Sequence, residues 1–255
     1  MQETIDEAIQ TGTIHSGNIS FDLLRNIGGI DRDLWDELGR GRYILSSQDQ
    51  LDQYLYSYGK MTKSQWGEFL NNAVTPMGQI RVIDYGCGQG LACSLLFDKF
   101  GSELLKNIKE VILIEPSMVA LARAKSIVAC YCRNATVVDI NKKLDDLTAL
   151  DLSSNEELST LHLFSNVLDI DDFNYPVLME KMFQKSGHHT VLAVSSDRNF
   201  MGGSGRFGDI SYLSDDQRCR LQGSIITSDV RQFKCNDGMS AISWRLQLET
   251  ISGSF

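Results

Sequence analysis

Residues 82–90 read Val-Ile-Asp-Tyr-Gly-Cys-Gly-Gln-Gly, and no other run constrains the fold as tightly. An apolar, β-branched stretch through Val82 and Ile83 stops at an acid and a glycine-rich turn. Leu91-Ala92-Cys93-Ser94-Leu95-Leu96-Phe97 then begins a helical apolar pattern. Strand, tight loop and helix N-terminus form the unit with which open α/β sheets hold ligands at their strand ends. Gly86, Gly88 and Gly90 can take backbone angles that a Cβ forbids, so a ligand can lie against the main chain. A dinucleotide fingerprint counted from Gly86 requires glycine at the position of Leu91, and a phosphate-binding P-loop requires Gly-Lys followed by Ser or Thr. Neither requirement is met.

Composition narrows the class further. A chain of 255 residues that is 42% apolar can bury a substantial core. No apolar run approaches the roughly 18–20 residues needed to span a bilayer, so no membrane partner is expected. The acidic start, Met-Gln-Glu-Thr-Ile-Asp-Glu, lacks the order of a secretory signal, and a cytoplasmic setting is the expectation. Cys87, Cys93, Cys130, Cys132, Cys219 and Cys235 form no Cys-x-x-Cys and have no histidine at zinc-finger spacing, so they read as reduced, buried thiols and no metal site is expected. A net charge of −9 argues against a nonspecific grip on nucleic acid, although a local basic patch can still serve an RNA substrate.

The spacing predicts two parts. Residues 1–78 are helical in character and aromatic, with Trp35, Tyr43, Tyr54, Tyr56, Tyr58 and Trp66. Ser46-Ser47-Gln48 marks a helix start, and Thr62 is expected to cap a second helix over 63–73. This part reads as a cap beside the ligand site. From residue 79, strands are expected at 80–85, 110–115, 135–139, 160–165 and 189–195. Helices are expected near 91–100, 117–132, 155–158 and 175–184. Such alternation implies parallel strands joined by right-handed crossovers. Two further strands, 224–234 and 240–250, flank Asn236-Asp237-Gly238, a hairpin signal.

The pattern Asp-x-Gly-x-Gly-x-Gly, with its strand and helix, resembles motif I of the class I S-adenosylmethionine-dependent methyltransferases. Strand–helix repeats closed by an antiparallel hairpin resemble their seven-stranded sheet. The resemblance runs from residue 79 to the C-terminus (79–255), with its specific motifs in the first half. It implies an α/β, doubly wound, mostly parallel sheet with a C-terminal antiparallel hairpin and a helical N-terminal cap, and S-adenosylmethionine as cofactor with S-adenosylhomocysteine as product. Asp84 and the backbone around Gly86, Cys87, Gly88 and Gly90 would face the cofactor's amino-acid tail and sulfonium, Cys87 through its main chain alone. Val111-Ile112-Leu113-Ile114-Glu115 is a buried strand ending in an acid about 25 residues after the loop, a separation at which dinucleotide folds place a ribose-binding carboxylate. The resemblance gives Glu115 that role; capping the next helix is the alternative. It also implies that Asp139 accepts from the adenine amine, with Ile140 and Met118 on the ring faces.

The strand 161–165 runs into Asn166-Val167-Leu168-Asp169, and in this fold the residues after it border the transferable methyl group. Phe164, Ser165 and Asn166 are candidates for that border, with Phe164 on the cofactor side. Asn166 either holds a substrate amine or hydroxyl or caps the turn. Asp169, Asp171 and Asp172 either attract a cationic substrate or form a solvated loop. His162 reads as a core histidine, and His188-His189 receives no role. The segment lacks Asn/Asp-Pro-Pro-Tyr/Phe and Pro-Cys, so DNA base methylation is not expected. Arg198, Phe200, Arg206 and Phe207, among four glycines in 198–208, suggest a lid or an ordinary loop. With Arg218, Arg220 and Arg231 they form the locally basic region. The expected activity is methyl transfer to a small molecule or a peptide or protein side chain. An RNA methyltransferase using Arg198 and Arg206 is one alternative. Another is an inactive cofactor-binding module that supports a protein partner through Trp35, Tyr56 or Trp66.

Overall fold

The computed structural model describes residues 3–72, 78–153, 158–170, 172–197, 207 and 223–250. Among them, α1 (Ile5–Thr11), α2 (Phe21–Gly28), a 3-10 turn (Trp35–Gly41) and α3 (Gln48–Phe69) precede the sheet. Then β1 (Ile80–Tyr85), α4 (Leu91–Leu105), β2 (Ile108–Ile114), α5 (Met118–Tyr131) and β3 (Thr136–Ile140) alternate. They are followed by β4 (Ser159–Ser165), α6 (Tyr175–Met182), β5 (Gly187–Ser196), β6 (Gly223–Lys234) and β7 (Ser240–Thr250). The seven strands lie in the order β3-β2-β1-β4-β5-β7-β6. β1 to β5 pair in parallel, and β7 runs antiparallel to both β5 and β6. This is the doubly wound sheet that the resemblance implies, closed by the terminal hairpin that Asn236-Asp237-Gly238 signals. Gly238, at φ +81, makes the hairpin turn, closed by Cys235 N–H donating to Met239 O over 2.9 Å.

Each buried strand is apolar on both faces, as a parallel sheet covered on both sides requires. Ile80 and Val82 of β1 face one core with Leu161, Leu163, Val111 and Leu113; Ile83 and Tyr85 face the other with Phe164, Ile112 and Ile114. The first core also contains Ile5, Ala8, Phe21, Leu24, Leu55 and Trp66. The N-terminal helices therefore share a core with α4, α5 and the sheet. A buried ion pair reinforces the contact: Arg123 of α5 donates to Asp52 of α3 over 2.8 Å and to Gln89 of the glycine loop over 3.1 Å.

The N-terminal part departs from expectation at Thr62. A single helix, α3, runs for 22 residues, and Thr62 lies inside it. Its hydroxyl donates back to the Tyr58 carbonyl over 3.1 Å, so it needs no cap geometry. Leu51, Leu55, Gly59, Thr62, Trp66 and Phe69 keep one buried face in phase throughout, and that packing outweighs the local capping signal. α4 likewise extends to Leu105, past a kink at Gly101. Of the helix expected near 155–158, residues 155–157 lie outside the described residues, and Leu158 directly precedes β4 without helical structure. Among the described residues, no helix is long and apolar enough to cross a membrane.

Candidate functional site

The register of the three central strands assembles the site. Tyr85, the last residue of β1, lies opposite Ile114 of β2 and Phe164 of β4. The next residues along each chain, Gly86, Glu115 and Ser165, therefore emerge together at the carboxyl edge. Strand order reverses between β1 and β4, the position where such sheets bind ligands. A cavity of about 650 Å³ opens there, within the range of small-molecule sites. Gly86, Gly88, Glu115, Ser165 and Asn166 line it from the sheet side, and residues of 41–45 with Tyr54 line it from the N-terminal part.

The glycines differ in what they permit. Gly86 has φ +62, and a Cβ there would meet Val167 Cγ2 at 2.9 Å. Gly90 has φ +81, and a Cβ would press on Ala124 at 3.3 Å. These two allow close packing of the chain on itself. Gly88, at φ +52, has nothing within 4 Å of where a Cβ would stand. Because Gly88 lines the cavity, that open space leaves a cradle against the main chain there.

Glu115 faces the cradle. One carboxylate oxygen accepts from Gly88 N–H at 3.0 Å, and the other from Ser117 N–H at 2.9 Å. Burial raises its pKa, opposed by these two bonds, which favour the anion. Each oxygen keeps a second lone pair, so the carboxylate can still accept from a diol. Ser117 also caps α5 by accepting from Ala120 N–H, so the helix start and the acid are positioned together.

Asp84 is placed differently from expectation. It is buried beneath the loop, where Cys93 Sγ donates to it over 3.3 Å, and it does not line the cavity. Burial pushes its pKa up to about 7, and its Oδ1 has no hydrogen-bond partner among the described residues. The odd–even phase of β1 explains the placement, because Asp84 shares the face of Val82, toward α4. Cys87 is buried, its N–H donates to Ile114 O, and burial pushes its thiol well up, so it offers the site only its main chain.

Five other candidates also lie outside the cavity lining. Phe164 is fully buried and stacks on Tyr85 at 4.5 Å, on the sheet face opposite Ser165, so it belongs to the core. Asp139 pairs with Lys125 on the outer side of α5, because its position opposite Leu113 turns it to that face. Asn141 takes the place beside Glu115, donating to the Glu115 and Pro116 carbonyls over 2.9 and 2.8 Å. Met118 is 73% exposed at the start of α5 and is not among the cavity-lining residues. Ile140 is partly buried against the second core. Asp169 is buried and is also absent from the lining, whereas Asp172 is part of it.

Ser165 and Asn166 do line the cavity, but neighbours already engage their side chains. Ser165 Oγ accepts from the Trp66 indole N–H at 2.9 Å. Asn166 donates to Gln65 Oε1 at 3.0 Å and accepts from Ser196 N–H at 3.1 Å. Trp66 is consequently fully buried and unavailable to a partner; Trp35 and Tyr56 are exposed. His162 is a core residue, as expected. His189, to which the sequence assigned no role, bonds it: Lys185 O accepts from His189 Nε2, so His189 Nδ1 accepts from His162 Nε2, and His162 Nδ1 accepts from Tyr85 OH, each at 3.0 Å. Arg198, Arg206, Arg218, Arg220 and Asp171 lie outside the described residues. Among the described residues, no cluster of His, Cys, Asp and Glu could hold a metal ion.

The sequence places the N-terminal part beside the site but does not single out residues 41–45 as its wall, nor Gln65, Lys143, Leu144, Asp145 and Phe173. Gln65 alone carried a signal, as an amide in phase with the buried face of α3.

The seven-stranded order, the glycine loop and the acid at the next strand end together define a Rossmann-like class I methyltransferase fold. No family model and no curated protein matches the chain. Among solved structures, it is similar to a SAM-dependent methyltransferase from Leishmania major, at 15% identity over 89% of this chain and 91% of that one, TM-score 0.45. It is also similar to magnesium protoporphyrin IX methyltransferase from Synechocystis with bound SAM, at 14% identity over 84% and 94%, TM-score 0.44. A third similarity is to an rRNA methylase from Streptococcus thermophilus, at 14% identity over 75% and 96%, TM-score 0.43.

Proposed function

We propose that this protein is an S-adenosylmethionine-dependent methyltransferase that acts on a small molecule or on a peptide or protein side chain. The observation that carries the reading is the open cradle at Gly88 facing the Glu115 carboxylate in one cavity. When bound, S-adenosylmethionine supplies a methyl carbon activated by its sulfonium. Glu115 would accept from the ribose hydroxyls, and the main chain at Gly86 and Gly88 would take the amino-acid tail. Pro116, Ser117 and Leu144 would flank the adenine, with Asn141 holding the loop behind Glu115. Transfer to a correctly aligned nucleophile chiefly requires orientation and exclusion of water. Tyr43, Ile44 and Leu45 can shield the cavity from the N-terminal side. Glu37, Asp145 and Asp172 add carboxylates around the opening, suited to an amine-bearing acceptor.

The test is a thermal shift with S-adenosylmethionine, S-adenosylhomocysteine and NADH, followed by conversion of S-adenosylmethionine to S-adenosylhomocysteine with candidate amine acceptors. A ligand at a hundred times its Kd adds about 2.7 kcal/mol, a rise of about 5–10 °C for a domain of this size. A shift with the two sulfur compounds and not with NADH supports the cofactor assignment, and turnover supports the enzyme. Absence of any shift would overturn both.

A further inference from the structure

We infer that α3 is a working part of the transfer site, with Gln65 as the positioning residue that sets the backbone of residues 165–167. This rests on the methyltransferase reading above and adds a specific element to it.

Asn166 is the focus. It is one of three described non-glycine residues at positive φ, at +55. Such a conformation costs free energy and persists where the surroundings over-determine it. Here they do. The Asn166 N–H donates to Val194 O at 2.8 Å, its side-chain oxygen accepts from Ser196 N–H, and its amide nitrogen donates to Gln65 Oε1. Gln65 Nε2 donates in turn to Ser196 Oγ at 3.0 Å. One residue earlier, Ser165 accepts from Trp66; one residue later, Val167 packs on Gly86. A continuous chain of contacts thus runs from α3, through the turn after β4, to the glycine loop.

The chemistry of Gln65 suits this role. A glutamine presents an acceptor and a donor together, which the Asn166 amide and the Ser196 hydroxyl require. Leucine there would remove both bonds and leave the Asn166 amide and the Ser196 hydroxyl without that partner, at a cost of about 1–3 kcal/mol. Gln65 is 2% exposed and sits on the face that packs against the sheet. Its bonds fix a turn that lines the cavity beside Gly86, which on this reading borders the transferable methyl.

The prediction concerns discrimination between the two cofactor forms. S-adenosylhomocysteine lacks the methyl and the positive charge, so displacing residues 165–167 should weaken S-adenosylmethionine selectively. Calorimetric Kd values for both ligands are measured on the full chain for Gln65→Leu, Asn166→Gly and Gln53→Ala. Gln53 is a second buried amide of α3, bonded to the Arg32 and Leu34 N–H groups, away from the cavity. Gln65→Leu and Asn166→Gly are expected to raise the ratio of the S-adenosylmethionine Kd to the S-adenosylhomocysteine Kd about tenfold, a change of about 1.4 kcal/mol. Gln53→Ala should lower Tm and leave the ratio unchanged. A ratio unchanged in both Gln65→Leu and Asn166→Gly would overturn the inference while leaving the cofactor assignment intact. Failure of the unmodified protein to bind either ligand would instead overturn the methyltransferase reading, and this inference with it. If Gln65→Leu does not fold, Asn166→Gly decides, because glycine adopts φ +55 without strain.

Discussion

Gly88 N–H donates to Glu115 Oε2 over 3.0 Å, joining the loop after β1 to the end of β2 across the floor of the cavity. The same carboxylate holds the Ser117 N–H at the start of α5. One side chain thus ties the glycine loop to the start of α5, and in the proposed function the same carboxylate would accept from the ligand.

Replacing Glu115 tests both functions. Glu115→Ala should reduce affinity for S-adenosylmethionine and S-adenosylhomocysteine by about 10- to 100-fold, since hydrogen bonds to a charged group contribute about 1.5–3 kcal/mol. Titration calorimetry measures this directly. Equal affinity in the variant would remove Glu115 from the site.

Gly86 and Gly88 should respond in opposite ways to alanine. Gly86→Ala meets Val167 at 2.9 Å and should lower Tm clearly. Gly88→Ala meets nothing, so it should cost the fold only the strain of a positive φ, about 1 kcal/mol. Its methyl would stand in the cradle, so it should abolish the ligand-induced thermal shift. Undiminished ligand binding by Gly88→Ala would place the ligand elsewhere.

Breaking the Arg123–Asp52 pair should be costly. Both side chains are buried, at 0% and 4% exposure. Asp52→Ala leaves the guanidinium with the neutral Gln89 and Gln48 amides and with the more distant Asp6 carboxylate at 3.8 Å. Loss of one partner of a buried pair typically costs about 3–5 kcal/mol. Urea unfolding measures it, and a loss below about 1 kcal/mol would show that the pair is dispensable.

Stability should fall on acidification below neutrality. Burial holds the His162 pKa well below its usual value and lowers that of His189 to about 4. In the unfolded chain both charge as pH falls through about 6.5, whereas the folded chain keeps them neutral. The unfolded state then binds more protons, so stability drops from pH 6.5 toward 4, by about 3 kcal/mol for His189 alone. Asp84 works in the other direction. Its folded pKa of about 7 means the folded state retains a proton that the unfolded state releases, which disfavours folding as pH rises from about 4 to 7. Asp84→Asn should therefore steepen the acid loss in urea unfolding between pH 4.5 and 8. A profile independent of pH in that variant would contradict neutral buried histidines.

Much of the fold was legible along the chain. Alternating apolar runs place β1, β2, β4 and β7 nearly to the residue, because a buried strand must be apolar wherever helices cover it. The glycine loop was readable because its backbone angles admit few residue types. Glu115 was readable because a strand end beside that loop places the acid at the carboxyl edge. Phe164 and Asp139 were misassigned for one reason: a residue near the end of a strand points to either face, and only pairing register says which. Asp139 opposite Leu113 turns toward α5, and Phe164 opposite Tyr85 turns into the core.

The sequence by itself therefore determined the sheet, the loop and the carboxylate, since each follows from local apolar period, backbone permissiveness or spacing. Only the tertiary structure decided that α3 grips Ser165 and Asn166 through Trp66 and Gln65, about a hundred residues earlier in the chain. Hydrogen bonds between residues so far apart in sequence leave no periodic trace, because they depend on how two elements pack and not on either element alone.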